Sequence, residues 1–443
     1  MSTALAQYLD EGAGASGIRS AVELAVERGE LAPGQALPSV RELAREVGVS
    51  PATVAAAFGQ LRQRGIVVTR PRSGTRVSRR PPLVTRPEAA LPDGTIDLAS
   101  GNPDPALLPD LGPFLAGVSG EPVLYGAQGV DPSLRERADV MFRAEGVSTP
   151  GVAVTSGALD GLERVLGAWL RPGDRVLVED PGYTGTLDLV RAMGLVPVGV
   201  DVDERGPLPD ALAAGLLQGP RAVVVTPRAH NPTGAALSPA RAADLAPLIA
   251  AHPGVLLVED DHAGPVAGVE LCTLTRSARR WALVRSLSKS LGPDLRVALV
   301  AGDEATLGRL EGRQRLGPGW VSHVLQRTAA ALLGDVNVTA QLERARAVYT
   351  DRRGGLRDAL AERGIAARAR SGLNVWVPVA EEEPVVRGLL GSGWAVRGGE
   401  PYRLASPPAV RVTISTLRPE TANRLAIDLA ALLRPRRRRT NPT

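Results

Sequence analysis

Lys289 is the only lysine in a chain of 443 residues that holds 52 lysines and arginines together. Arginine has taken every ordinary surface and ion-pair role, so the position that keeps a lysine is one that needs a primary amine. A guanidinium stays protonated in proteins, whereas a lysine amine can lose its proton and attack a carbonyl to form an imine. Its setting is Ser286-Leu287-Ser288-Lys289, with Arg296 seven residues beyond. Upstream, Glu259-Asp260-Asp261 closes an apolar run with carboxylates, and Asn231-Pro232-Thr233-Gly234 is a turn that presents an amide. Ser156-Gly157-Ala158 opens a helical stretch whose free amides and positive dipole end suit an anion. Pro181-Gly182-Tyr183 offers an aromatic ring.

Each of these groups lies on or just after a short apolar, β-rich run. The runs are Val152–Thr155, Arg175–Glu179, Val196–Val200, Ala222–Thr226, Val255–Glu259, Ala282–Arg285 and Val297–Ala301, and helical stretches separate them. That alternation predicts an α/β fold with a mostly parallel, seven-stranded sheet covered by helices. Ligands of such sheets sit beyond the carboxyl ends of the strands, which is where the chemically loaded residues fall.

The length implies two or more folded units. An apolar share of 44% and a charged share of 22% exclude wholesale disorder, collagen-like repetition and coiled coil. No run is long and apolar enough for a membrane span, and the start MSTALAQYLDEG has no basic stretch leading into an apolar one, which predicts a cytoplasmic protein. The single cysteine, Cys272, excludes an internal disulfide and a cysteine-clustered metal site, and four scattered histidines give no metal constellation. The net charge of +5 is unevenly placed: residues 1–86 hold 12 basic and 7 acidic side chains, while residues 87–433 hold 35 and 40. From Arg62 to Arg86 there are eight arginines and no acid, a local excess that draws a phosphate backbone. Five more arginines lie in the 434–443 tail, which is expected to be frayed and without a role.

The basic N-terminal unit reads as three helices and a hairpin. Ile18, Val22, Ala25 and Val26 repeat at helical spacing over 17–28. Ser39 and Glu42 form a capping-box pair that starts a second helix, and Gly48 ends it. Ser50 caps a third helix with Pro51 at its first position and Val54, Phe58 and Leu61 on one face. Two helices joined by a short glycine-containing turn make a helix-turn-helix. The runs Ile66–Thr69 and Thr75–Val77 flank a Pro-Arg-Ser-Gly turn, a basic hairpin. Residues 79–95 are rich in proline, with Pro81 and Pro82 adjacent, and read as a stiff linker.

The segment LPSVRELAREVGVSPATV with RPRSGTRV resembles the winged helix-turn-helix of the GntR family of regulators, within a domain expected over 1–78. The resemblance implies that Ser39, Arg41, Ser50 and Thr53, with Arg72, Gly74 and Thr75 in the wing, meet double-stranded DNA. Pro51 stands where the family often has arginine, and Ala52, Ala55 and Ala56 follow. Such a helix has few donors for base edges, so phosphate contacts and Arg41 carry more of the binding.

The order SGA…PGY…NPTG…EDD…SLSK…R, within residues 96–433, resembles the fold-type I pyridoxal phosphate enzymes of the aspartate aminotransferase class. That resemblance implies a smaller C-terminal α+β subdomain and a set of roles. Lys289 would hold the cofactor as an imine, Asp260 would pair with its pyridinium nitrogen, Tyr183 would stack on the ring and Asn231 would bond the ring oxygen. Ser156, Gly157, Ala158, Ser286, Ser288 and Arg296 would grip the phosphate, Tyr125 would reach a partner subunit in a homodimer, and Arg411 would clamp a substrate carboxylate. Asp260 is preferred to Asp261 because related chimeric regulators read EDDY. His262 stands near the place of a tyrosine that bonds the ring oxygen. A winged helix, a proline-rich linker and an aminotransferase-like body together resemble the MocR subgroup of GntR regulators. The function implied is a transcriptional regulator that senses pyridoxal phosphate, an amino acid or an amine; the alternative is a working aminotransferase that carries a DNA-binding domain.

Overall fold

The computed structural model describes residues 14–70, 74–78, 91–118 and 120–433. Arg72, most of the expected linker and the arginine tail lie outside the described residues. The chain forms two compact units, a small N-terminal one and a larger body.

In the first unit, α1 (Ala15–Glu27), α2 (Val40–Val47) and α3 (Pro51–Gln63) enclose a core of Ile18, Val22, Leu43, Val54, Phe58 and Leu61. The capping box is formed: Ser39 N–H donates to Glu42 Oε2 at 2.8 Å, and Glu42 N–H donates back to Ser39 Oγ at 3.3 Å. Gly48 ends α2 with a φ of 72°, a left-handed conformation that a residue with a Cβ rarely adopts. Ser50 Oγ accepts the Thr53 N–H at 3.1 Å and starts α3. The hairpin of β1 (Val67–Arg70) and β2 (Gly74–Val77) is antiparallel, and Val67 faces Val77 where both are buried.

The body contains an eight-stranded sheet in the order β4-β11-β10-β9-β8-β5-β6-β7. Its strands are β4 (Val152–Thr155), β5 (Arg175–Asp180), β6 (Val196–Asp203), β7 (Gly206–Pro207), β8 (Ala222–Val225), β9 (Leu256–Asp261), β10 (Arg280–Ser286) and β11 (Ala298–Gly302). All seven expected runs are present, and the expected strand count is corrected by β7. This two-residue strand turns back antiparallel onto β6 and is too short to leave a hydrophobic pattern. β8, β9 and β10 are parallel, while β11 runs antiparallel between β10 and β4. Central strands such as β8 and β9 are buried along their whole length, because helices cover both faces. Among these helices are α4 (Pro132–Ala144), α5 (Ala158–Trp169), α6 (Glu304–Arg315) and α7 (His323–Gly334).

A second core belongs to the C-terminal subdomain. There β12 (Asn374–Pro378), β15 (Ala409–Thr413) and β14 (Arg397–Gly398) form an antiparallel sheet, and β13 (Trp394–Ala395) pairs with β3 (Ile96–Asp97). The long helix α8 (Val336–Ala361), together with α9 (Glu382–Gly391) and α10 (Pro419–Leu433), completes it. Among the described residues no helix is long and apolar enough to cross a membrane, and no group of ligating side chains could hold a metal ion.

Candidate functional site

The strand ends converge as an open α/β sheet requires, and each brings one part of the site. β4 runs into Ser156-Gly157 and then α5, so the helix starts directly after the strand. Gly157 has a φ of 95°, and a Cβ placed on it would collide with the guanidinium of Arg296. That guanidinium donates from Nη2 to the Ser156 carbonyl oxygen at 2.8 Å. Arg296 itself sits at a φ of 50°, an unusual value for a residue with a side chain. Ser286 ends β10, and its Oγ accepts the Ser288 N–H at 3.2 Å. Helix start, arginine and serine turn together offer amides, hydroxyls and a fixed positive charge.

Lys289 follows on the same loop. Its Nζ donates to the Gly101 carbonyl oxygen at 2.7 Å. Burial, helped by the positive charge of Arg411, pulls its pKa down to about 8, which makes the neutral, nucleophilic amine accessible near physiological pH.

The two aspartates at the end of β9 have opposite surroundings. Asp261 Oδ2 receives Arg285 Nε at 2.5 Å and Arg228 Nη2 at 3.0 Å, and both arginines also reach Glu145. Against the cost of its burial, these two guanidinium groups hold Asp261 well below the usual carboxylate range. Asp260 is 4% exposed, and its Oδ1 has no hydrogen-bond partner. Burial, then the charges of Asp261 and Glu179, push its pKa up to about 7. A buried acceptor left open in this way fits a protonated ring nitrogen, and Asp261 is already fully engaged. His262 is half-buried; burial and the nearby charge of Lys289 push it down to about 4, so its ring is neutral at physiological pH.

Arg411, on β15, is 3% exposed. Its Nη1 donates to Asn231 Oδ1 at 3.3 Å, its Nη2 donates to the Ala99 carbonyl oxygen, and its Nε has no partner. The guanidinium lies over the ring of Tyr402, 5.2 Å from the centroid, and Tyr183 is near enough to act on its charge. The structure thus brings Lys289, Arg411 and Asn231 together, with Tyr183 partly exposed beside them. Tyr125 is different: it is 96% exposed and packs edge-on against Trp320 at 5.7 Å. In the winged unit Ser39, Arg41, Ser50 and Gly74 are exposed and Thr53 and Thr75 half-buried, so both helix caps lie at the surface.

Sequence reasoning assigned no role to Glu179, His230 or Asp180, although all three border motifs it singled out. Asp180 accepts four hydrogen bonds, from the amides of Leu404, Ala405 and Ser406 and from Ser406 Oγ. It thereby ties the end of β5 to a C-terminal loop more than two hundred residues away, a link that no local signal reveals.

Residues 94–429 match the family described as aminotransferase class I and II, and residues 15–77 match the gntR family of bacterial regulatory proteins. The chain is 39% identical to the vitamin B6 salvage pathway transcriptional repressor PtsJ of Salmonella typhimurium, over 95% of this chain and 98% of that one. The chain belongs to the MocR-type regulators of the GntR family. It is also 28% identical to the pyridoxine biosynthesis transcriptional regulator PdxR of Corynebacterium glutamicum, covering 76% of each chain. Among solved structures it is similar to the α-aminoadipate aminotransferase LysN of Thermus thermophilus, with 25% identity, a TM-score of 0.67, and coverage of 77% of this chain and 92% of that one. That structure is complexed with N-(5'-phosphopyridoxyl)-L-leucine. This MocR-type protein is a DNA-binding transcriptional regulator whose body has the aminotransferase fold. Pyridoxal phosphate is the cofactor of that body, and the open Asp260 Oδ1 and the Gly157–Arg296 cradle fit its ring nitrogen and its phosphate.

Proposed function

We propose that this regulator reports on pyridoxal phosphate supply, with residues 1–78 contacting double-stranded DNA, 79–95 as linker and 96–433 as the sensing body of a cytoplasmic homodimer. The observation that carries this reading is that the chain's sole lysine follows β10 while the buried, unpartnered Asp260 Oδ1 lies near the end of β9, the strand paired with it. The names of PtsJ and PdxR, both tied to vitamin B6, support the choice of signal.

When bound, the cofactor supplies an electrophilic carbonyl carbon and an electron-withdrawing ring. Lys289 Nζ, with its lowered pKa, is the attachment point. Asp260 Oδ1 would pair with the ring nitrogen, Asn231 and His262 would serve the ring oxygen, and Tyr183 would cover the ring face. Ser156, Gly157, Ala158, Ser286, Ser288 and Arg296 would hold the phosphate, and Tyr125 would reach a partner subunit. Arg411 would receive the carboxylate of an amino acid effector. Such a ligand acts on DNA binding only through its differential affinity for two arrangements of the chain.

The test is the visible absorption of the full chain with pyridoxal phosphate, beside its affinity for promoter DNA. The expected result is a band that Lys289→Ala lacks and a change in DNA affinity that follows occupancy. Occupancy without any change in DNA affinity would overturn the sensor reading. A second reading, a working aminotransferase, keeps support from the complete set of site residues; steady build-up of pyridoxamine phosphate with an amino acid is its signature.

A further inference from the structure

Glu179 and His230 are two buried titratable residues near Asp260 that the reading above leaves without a role. Glu179, near the end of β5, is 5% exposed; its Oε2 accepts the Thr226 N–H at 2.8 Å, and its Oε1 has no hydrogen-bond partner. His230 is fully buried. Its Nδ1 lies 2.7 Å from Thr233 Oγ, which also receives the Ala235 N–H at 3.2 Å. Its Nε2 lies 3.2 Å from Glu179 Oε2, off the direction of a true hydrogen bond, so the contact is electrostatic. Thr226 follows Val225, which pairs with Glu259 on β9, so the amide that holds Glu179 stands beside Asp260. The charges that act on Asp260 are those of Asp261 and Glu179, and Asp261 is matched by Arg228 and Arg285. His262 and Lys289 act on each other, and His230 also faces His262. Among the described residues, Glu179 is thus the one of these two carboxylates with no arginine as a hydrogen-bond or ion-pair partner.

We propose that Glu179, with His230 as its polar partner, is a positioning residue that sets how tightly a proton is held between Asp260 and the cofactor's ring nitrogen. This rests on the reading that the pocket holds pyridoxal phosphate at Lys289. The physical argument is short. The Glu179 carboxylate lies in a low-dielectric interior against two dipoles, the Thr226 amide and the His230 ring. A carboxylate there adds negative potential to the Asp260 region, and a proton shared at Asp260 is bound more strongly. Asp260 alone would hold that proton less firmly. The nature of the nearby acid–histidine pair therefore tunes the electron demand of the ring, although neither residue need touch it.

The experiment uses the full chain loaded with pyridoxal phosphate isotope-labelled at the ring nitrogen, and reads that nitrogen's chemical shift against pH by NMR. Glu179→Gln is expected to move deprotonation of the ring nitrogen toward acid by roughly one pH unit, and Glu179→Asp to restore most of it. His230→Gln is expected to move the profile in the wild-type background and to leave it in place on the Glu179→Gln background, since it acts through Glu179. Unchanged profiles in Glu179→Gln, or shifts that simply add, overturn the proposal. Should Glu179→Gln fail to fold, Thr233→Val tests the same chain of contacts: a moved profile supports the proposal and an unchanged one overturns it. A wild type that shows no visible band with the cofactor overturns the cofactor reading itself, and this proposal with it.

Discussion

Arg296 donates from Nη2 to the Ser156 carbonyl oxygen at 2.8 Å, and the only residue that permits this approach is the glycine between helix and strand. Gly157→Ala places a methyl against the guanidinium and also forces a side chain into a positive φ. The expected outcome is a loss of pyridoxal phosphate affinity of at least about tenfold, the equivalent of ~1.4 kcal/mol. A spectrophotometric titration checks it. DNA binding by the cofactor-free protein should be unaltered.

The two neighbouring aspartates should respond oppositely to neutralisation. Asp261→Asn leaves Arg228 and Arg285 without their shared buried counter-charge and should lower stability by about 3–5 kcal/mol. Asp260→Asn removes an unpartnered buried acid and should leave the cofactor-free protein as stable as wild type or more so. Urea unfolding of the two variants separates these outcomes, and equal losses would remove the distinction.

A pH series sharpens the same point. An ordinary aspartate titrates near ~3.9 in an unfolded chain. With burial raising Asp260 to about 7, the folded chain keeps a proton that the unfolded chain has released across roughly pH 4 to 7. Stability contributed by this group is therefore lost as pH rises through that window. The difference in unfolding free energy between wild type and Asp260→Asn should fall with pH there, with a slope of at most about 1.4 kcal/mol per unit. A flat difference would mean that Asp260 is already ionised at the low end of the window.

Asp180 fastens the loop Leu404–Ser406 through four hydrogen bonds. Asp180→Ala leaves three amides and a hydroxyl without their acceptor, and local opening should become at least about tenfold more frequent. Arg403 precedes this loop, so trypsin cleavage after Arg403 under native conditions reports the opening directly. An unchanged cleavage rate would mean that the loop is held by other contacts, such as the Arg403–Glu382 ion pair at 2.8 Å.

In the winged unit, Ser50→Ala removes the cap of α3 and should cost about 1 kcal/mol of helix stability. Arg41→Ala should weaken binding to all DNA sequences alike and reduce the salt dependence by about one unit of slope. Anisotropy titrations on promoter and random DNA at several salt concentrations distinguish the two effects.

Much of this architecture could be read from the chain because its signals are local. The capping box at Ser39 and Glu42 and the seven strand cores are patterns within a few residues, and Lys289 stands out because its residue type occurs once. β7 escaped because two residues carry no alternation. The choice between Asp260 and Asp261 was open to residue type alone, since what separates them is Arg228 and Arg285, brought from two other strand ends by the sheet. Glu179 and His230 were missed for a similar reason: they belong to different motifs, and only the neighbouring positions of β5 and β8 make them a pair.

Lys289 and Arg411 donate to carbonyl oxygens of Gly101 and Ala99, two residues apart on one segment. Any ligand that takes these two cations must compete with that backbone. Measured affinity is then the difference between two hydrogen-bonded states, so the concentration at which the protein responds is set partly by residues that never touch the ligand. A change in the 97–102 stretch that strengthens or weakens its hold on the two cations shifts this threshold while leaving the recognised chemistry intact.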